Sequence, residues 1–487
     1  MSLNHVVIIK IVAVIVLIEG IAMLFPVVSA IFFDENAVAS SLFFIAITCI
    51  AFGYTTVTQL HSTSLKLKAH EGYFIAFACW MVVCIIGSLP FYVADCGYKY
   101  VDCFFESVAG WTTTGCTVLD YDIMPKSLIF WKAMCHWLGG MGVLILTVSV
   151  FPALGAGGQK MVEAEFAGPT LEKSNARISK SAKFFYLIYI ILTMIEFVLL
   201  SLGGMPAFDA LLNTLSTIST AGISIGSGVG ISGFSPFIKA VIGVFSVLSS
   251  INFIVLCMLL TGKAKDAIKN VEFRVFLGIL ATAAVLIAIL LTATGTYSNF
   301  AGALGDSMVQ VASFGSTSGF AVTDYTLWPT ACKLILFLLM IIGGCSASTS
   351  GSLKVIRVTV WFKLIIRGIY KRIHPHSIKP IMLGEGPVSA ATASNITVFV
   401  LLYFAIFIFS CVVMSLENFD LETTFSAVLA AFSNAGIGFG DLGGSGDFSM
   451  FSAGGRFYLT LLMLAGRLEM YPIMIMLSRS FWRPNRV

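Results

Sequence analysis

The stretch VVIIKIVAVIVLIEGIAMLFPVVSA at 6–30 carries only two charges, Lys10 and Glu19, and is long enough to cross a bilayer as a helix. Comparable runs follow at 38–60, 72–94, 128–151, 183–203, 238–261, 274–294, 331–350, 393–415 and 456–478, which makes ten. Only 11% of the residues are charged and the mean hydropathy is +0.95. A soluble domain holds about 25% charged residues, so this chain cannot coat itself for water. In lipid every backbone polar group must be paired internally, which leaves helices for runs of this length. The expectation is an all-α polytopic membrane protein. The eleven cysteines fall mostly inside apolar runs (Cys49, Cys79, Cys84, Cys135, Cys257, Cys411) without paired spacing, and they read as free packing thiols. No cleavable signal sequence is evident in the first run.

Between certain runs lie shorter, mixed segments near 102–114, 209–221, 306–318 and 422–435. Each ends in a glycine-centred word: GWTTTGCT at 110–117, STAGIS at 219–224, STSGFA at 316–321 and SNAGIG at 433–438. Thirteen positions before the first three glycines, Gly115, Gly222 and Gly319, stand Asp102, Asp209 and Asp306. Before Gly436 the same offset gives Thr423. These side chains are good N-caps, so the offset predicts a three-turn helix leading into each word.

Lysine and arginine test the topology. The N-terminus, 61–71, 152–183, 262–274, 351–392 and the C-terminal tail hold most of the 29 basic residues, and the alternate loops hold mainly Asp and Glu. The positive-inside pattern places both termini in the cytoplasm and all four words on a path entering from outside. The basic residues thus follow topology, and the net charge of +4 points to no nucleic-acid partner. The predicted organisation is an N-terminal helical pair, 1–65, and four pseudo-symmetric helix–pore loop–helix repeats around one central pore: 66–165, 166–265, 266–385 and 386–487. Irregular backbone at membrane depth is tolerated only where protein or a water-filled cavity surrounds it. Four such stretches near one axis make a pore mouth.

A cation crossing there exchanges its water for other oxygens, and rings of backbone carbonyls can replace that shell. Glycine allows the positive φ that turns carbonyls to the axis and leaves the path open. The hydroxyls of Thr112–Thr114, Ser219, Thr220, Ser316–Ser318 and Ser433 either hold the loops or coordinate directly. The partly negative C-terminal ends of the short helices favour a cation. With no Asp or Glu in the words, a monovalent ion fits better than Ca²⁺ or Mg²⁺.

As a set, TTTGCT, STAGIS, STSGFA and SNAGIG resemble the selectivity-filter loops of the TrkH/TrkG/KtrB potassium-uptake superfamily, over essentially the whole chain. The extra pair at 6–60 makes the chain similar to the TrkH branch. The resemblance implies that K⁺ is the transported ion, and that filter positions fall at Thr113, Thr114, Gly115 and Cys116; Thr220, Ala221, Gly222 and Ile223; Thr317, Ser318, Gly319 and Phe320; and Asn434, Ala435, Gly436 and Ile437. Na⁺-favouring relatives often have Ser at the first glycine, so Gly115 supports K⁺. Asn434 departs from the Thr of the other words. The resemblance also implies a homodimer with one pore per protomer, in the bacterial inner membrane, and a cytosolic nucleotide-binding ring of the TrkA type as regulator.

Two features lie on the inner side. In the third unit Gly343, Gly344, Cys345, Ser346, Ala347, Ser348, Thr349, Ser350 and Gly351 form a poor helix. They read either as close packing against a neighbour or as a broken helix with a movable loop under the filter, and the family resemblance favours the loop as gate. Arg467 and Glu469 sit inside the last apolar run, where charge requires protein or water around it. Arg467 reads as an anchor for the loop or as an electrostatic barrier in the pore. Glu469, two residues on, faces elsewhere and calls for a partner from another unit. Lys132, His136, Glu106, Asn252 and Ser249–Ser250 are weaker candidates, with packing or local hydrogen bonds as the default.

Neither a Walker motif nor an organic-cofactor fingerprint is present, and GAGG at 155–158 reads as a bend. The expectation is a transporter, not an enzyme. The basic segment 351–392 suits lipid contact or a cytosolic partner. A K⁺-selective channel-like uptake protein leads. A symporter coupling K⁺ to Na⁺ or H⁺ through Glu19, Glu196 or His136 is the alternative.

Overall fold

The computed structural model describes residues 5–60, 69–94, 97–145, 178–222, 231–377, 380–384, 386–444 and 446–478. An N-terminal pair comes first, α1 (His5–Phe32) and α2 (Asn36–Gln59), packed along each other. Four units follow. The first holds α3 (Ala69–Val93), α4 (Tyr100–Trp111) and α5 (Lys126–Ile145). The second holds α6 (Ile178–Leu202), α7 (Ala207–Ile218), α8 (Pro236–Ser250) and α9 (Phe253–Leu260). After the short α10 (Ala264–Lys269), the third unit holds α11 (Val271–Ala293), α12 (Phe300–Ser316), α13 (Thr330–Ile342) and α14 (Val355–Ile373). A two-residue hairpin, Met382–Leu383 against Gly386–Pro387, leads to the fourth unit: α15 (Ala390–Met414), α16 (Leu421–Phe432), α17 (Ala453–Arg467) and α18 (Tyr471–Leu477).

The units close a ring. The inner helix of each packs on the short helix of the next: α5 on α7, α8 on α12, α13 on α16, and α17 back on α4. Large apolar side chains such as Phe25, Phe44 and Ile190 face outward and exposed, as a lipid-facing belt requires. Cys49, Cys79, Cys84, Cys116, Cys135, Cys257, Cys332, Cys345 and Cys411 are free thiols.

Helix starts follow capping chemistry, though not at the expected residues. Asp102 and Asp209 lie inside the first turns of α4 and α7, whose N-cap positions are Lys99 and Pro206. There the carboxylates favour the positive helix end without capping it. Asn299 caps α12 by accepting from Gly302 N, and Asp306 lies deeper, accepting from the Tyr297 hydroxyl at 2.7 Å. Asp420 caps α16; bonds from the Thr423 hydroxyl and N–H hold its carboxyl below the usual range. Thr423 itself accepts from Asp441 N at 3.0 Å. The shared offset was real, but the helices begin three to seven residues earlier than it implied.

The inner helices depart most from the expected spans. The third breaks between Ile342 and Val355, as the glycine- and serine-rich segment predicts. The second breaks too: α8 and α9 meet at 105°, with Asn252 Oδ1 accepting from Ile254 N to start a new helix. The fourth breaks at Leu468–Met470, where Glu469 and Met470 take φ of 52° and 62°. Neither 238–261 nor 456–478 is therefore one straight helix.

Candidate functional site

Each short helix ends in the same cap. The amides of Thr113, Thr220, Thr317 and Asn434 return to the carbonyl three residues back, and those of Thr114, Ala221, Ser318 and Ala435 to the carbonyl five back. This is the Schellman pattern, which needs a left-handed residue after the helix. Thr113, Thr220, Thr317 and Asn434 have φ of 52°, 55°, 59° and 55°. Three are β-branched, for which this conformation is strained by about 1–3 kcal/mol each. Two residues later Gly115, Gly222, Gly319 and Gly436 again have positive φ, between 61° and 81°.

The glycines leave no room for a side chain. A Cβ on Gly115 would stand 1.8 Å from the Ala221 carbonyl oxygen, and one on Gly222 2.1 Å from that of Ser318. A Cβ on Gly319 would stand 2.2 Å from the Ala435 oxygen, and one on Gly436 2.0 Å from that of Thr114. The cycle runs through the units in order and returns to its start. It gathers into one ring the carbonyls of the four residues just before the glycines, whose N–H groups are already committed to the short helices.

The hydroxyls hold this geometry. Thr112 donates to Val108 O and pairs with Thr114, while Ser316 pairs with Ser318 at 2.7 Å. Ser219 and Ser433 bond back to Leu215 and Leu429. Thr220 bonds to Ser219 O, and Asn434 Nδ2 donates to Thr114 Oγ1 at 2.9 Å and to Met463 O at 3.0 Å. The departure at Asn434 thus ties the fourth word to the first.

Beyond Gly115 and Gly319 the next carbonyl is engaged behind the loop. Cys116 O accepts from Lys132 Nζ at 2.7 Å, and Phe320 O accepts from Ser313 Oγ at 2.7 Å and Gln310 Nε2 at 3.3 Å. Both belong to the expected filter positions, and their carbonyls are engaged by side chains behind the loop. Ile437 is buried, and Ile223 lies outside the described residues. Nine positions before its glycine, each of the first three short helices carries a polar side chain: Glu106, Asn213 and Gln310. Glu106 accepts from Val118 N at 3.1 Å, Gln310 Oε1 from Val322 N at 3.0 Å, and Ser426 does this for Phe439 N in the fourth unit. That offset is visible in the sequence. Glu106 also forms a fully buried ion pair with Lys132, and Tyr121 bonds to both. His136 Nδ1 meets Ser216 Oγ at 3.2 Å, which is a packing role.

The 343–354 loop lies against the inner side of the ring. Gly343 (φ 70°) ends α13, and Ala347 and Lys354 also take positive φ. Thr349 Oγ1 donates to Ile218 O at 3.3 Å and Ser249 O at 3.0 Å; Cys345 N donates to Ser250 O at 2.9 Å. Gly351 N donates to Thr317 Oγ1 at 2.9 Å, and Ser350 Oγ lies 3.2 Å from the same hydroxyl. A Cβ on Gly351 would stand 2.1 Å from Ser433 O. The loop therefore touches the ends of the second, third and fourth short helices or their words.

Charges pin it. Glu272 receives Ser346 N at 2.6 Å and the Ser346 hydroxyl at 2.8 Å, and Lys354 Nζ donates to Ser350 O. Ser348 donates to Cys345 O at 2.6 Å, and Gly344 N to Ser350 Oγ at 3.0 Å. Arg467 is buried and donates to Thr349 O at 2.8 Å and Gly139 O at 3.4 Å, joining the loop to the first unit's inner helix. Glu469 pairs with Arg357 of the third unit, whose guanidinium lies 4.1 Å over the Phe399 ring. The sequence offered no sign of Glu272 or Lys354 in this role.

With this geometry established, likenesses to known proteins carry weight. A family model described as TrkH, cation transport protein, matches residues 39–483. The Trk system potassium uptake protein TrkH of Salmonella typhimurium is 32% identical over 481 residues, covering 97% of this chain and 98% of that protein. The Trk system potassium uptake protein TrkG of Escherichia coli is 30% identical over 470 residues, covering 95% and 96%. The crystal structure of the potassium transporter TrkH from Vibrio parahaemolyticus matches with a TM-score of 0.89 at 29% identity, over 99% of this chain and 100% of that one. Fold, four-word ring and sequence agree: this multi-pass membrane protein belongs to the TrkH family of cation transport proteins.

Proposed function

We propose that the protein takes up K⁺ across the bacterial cytoplasmic membrane through a filter formed by the four words. The carbonyls of Thr114, Ala221, Ser318 and Ala435 replace water around the ion. The observation that carries this reading is the closed cycle of glycine-to-carbonyl contacts. The relatives' function, potassium uptake, supports the choice of ion. The driving force is the membrane potential, worth about 2.3 kcal/mol per charge per 100 mV.

The 343–354 loop is the gate, held shut beneath the filter. Arg467 acts as its anchor, because both of its carbonyl contacts tie the loop to neighbouring backbone; its charge in the same place also opposes a cation. Both termini face the cytoplasm, and the protein works as a homodimer regulated by a cytosolic nucleotide-binding ring. The exposed apolar residues of α14, Phe362, Ile366 and Ile369, interleave with Lys363, Arg367 and Lys371 and suit a lipid interface.

The test is ion flux in liposomes. K⁺ and Rb⁺ should pass well above Na⁺, and current should reverse at the K⁺ equilibrium potential whatever the Na⁺ or pH gradient. A reversal potential that follows either gradient would replace this reading with coupled symport.

A further inference from the structure

Glu19 is fully buried in α1, and neither of its carboxyl oxygens has a hydrogen-bond partner among the described residues. The indole N–H of Trp111, the last residue of the first pore helix, is buried and unpartnered as well. A buried donor and a buried acceptor left unmade are each expensive, and a carboxyl group within a membrane protein calls for a named partner.

The two meet at Gly87 of α3. A Cβ there would stand 2.5 Å from Trp111 Nε1, 2.8 Å from Ser107 Oγ and 3.2 Å from Glu19 Oε1. The missing side chain is what lets α1 reach through α3 to the pore helix. Ser107 already donates to Cys84 O at 2.8 Å, so its proton is engaged. Trp131 Nε1 donates to Gly87 O at 3.0 Å and its ring stands edge-on to that of Trp111, which fixes the wall of the pocket. Trp111 O in turn lies where a Cβ on Gly139 would be, 1.9 Å away. The indole therefore sits in a tightly packed seat, two residues before the left-handed Thr113.

We propose that Glu19 is a positioning residue for the filter: its carboxyl receives the Trp111 indole N–H, directly or through one water, and sets the seat of the first word. The N-terminal helical pair then contributes to ion selectivity through this contact. This rests on the filter reading above.

The experiment compares purified full-length protein with the variants Glu19→Gln, Glu19→Leu, Trp111→Phe and the double Glu19→Leu/Trp111→Phe. K⁺/Na⁺ uptake ratios are measured in liposomes, and indole hydrogen bonding by ultraviolet resonance Raman difference against Trp111→Phe. Gln keeps an acceptor and should stay within about twofold of the parent. Leu and Phe should each lower the ratio by about fivefold or more, and the double should be no worse than the worse single. The Trp111 marker should read hydrogen-bonded in the parent and in Glu19→Gln, and free in Glu19→Leu. A ratio unchanged in well-folded Glu19→Leu, or effects that multiply in the double, overturns the positioning role. A marker unchanged by Glu19→Leu overturns the contact itself. A parent with no K⁺ preference removes the filter reading and the positioning role with it.

Discussion

Threonine is a poor choice for a left-handed helix cap, where glycine is free of strain. Thr317 shows what the side chain adds: its hydroxyl receives Gly351 N from the 343–354 loop. Thr317→Gly should relax the backbone yet release the loop, raising basal ion leak several-fold, while Thr317→Ser keeps the bond and stays near the parent. Leak from liposomes without any regulatory partner decides it; equal leak in both variants would leave the hydroxyl without a role. Gly115 is constrained from the other direction, since any Cβ collides with the Ala221 carbonyl. Gly115→Ser should cut K⁺/Na⁺ discrimination at least about tenfold, as read by competing ⁸⁶Rb⁺ and ²²Na⁺ uptake. Lys132 and Glu106 form a fully buried pair behind the same word. Breaking such a pair destabilises by about 3–5 kcal/mol, whereas replacing both partners is far milder. Lys132→Met should lower the unfolding temperature in detergent sharply, and Lys132→Met/Glu106→Gln should recover most of the loss.

Among the elements, the 343–354 loop is held by bonds that converge from three helices: Glu272 of α11, Arg467 of α17 and the α8 end at Ser249–Ser250. Glu272→Ala and Arg467→Ala should each raise basal flux, because each removes a bond that holds the loop against the ring. Reduced flux from folded Arg467→Ala would assign the arginine to building the pore instead. The elements also show what was legible in advance. Ten apolar runs and four glycine words announced the helices and their grouping, since burial and helix period act locally along the chain. The break at Gly343–Lys354 was legible because small and hydroxyl residues cluster there. The break at Asn252 was not, because a single asparagine in an apolar run is a weak local signal; there it caps α9 through Ile254 N while its amide nitrogen reaches Ser346 of another unit. The fourth break surrounds Glu469, whose partner Arg357 lies 112 residues away in sequence, beyond any local pattern. The cap expectation at Asp102 and its counterparts failed for the opposite reason: a true periodic signal was assigned to the wrong turn.

For the whole molecule, pseudo-symmetry converts four weak loops into one site. Each inner helix supports the next unit's short helix, so every word is seated by two units and the ring closes only when all four are in place. The third and fourth words also carry the 343–354 loop, through Thr317 and Ser433. In the proposed filter, ion choice belongs to this scale, because each of the four words supplies one carbonyl to the ring. The most direct measurement is the K⁺/Na⁺ flux ratio of the purified protein in liposomes under an imposed membrane potential, with no other gradient. The account predicts K⁺ flux well above Na⁺ flux, with the preference lost in Gly115→Ser. Equal K⁺ and Na⁺ flux in the unmodified protein would contradict it.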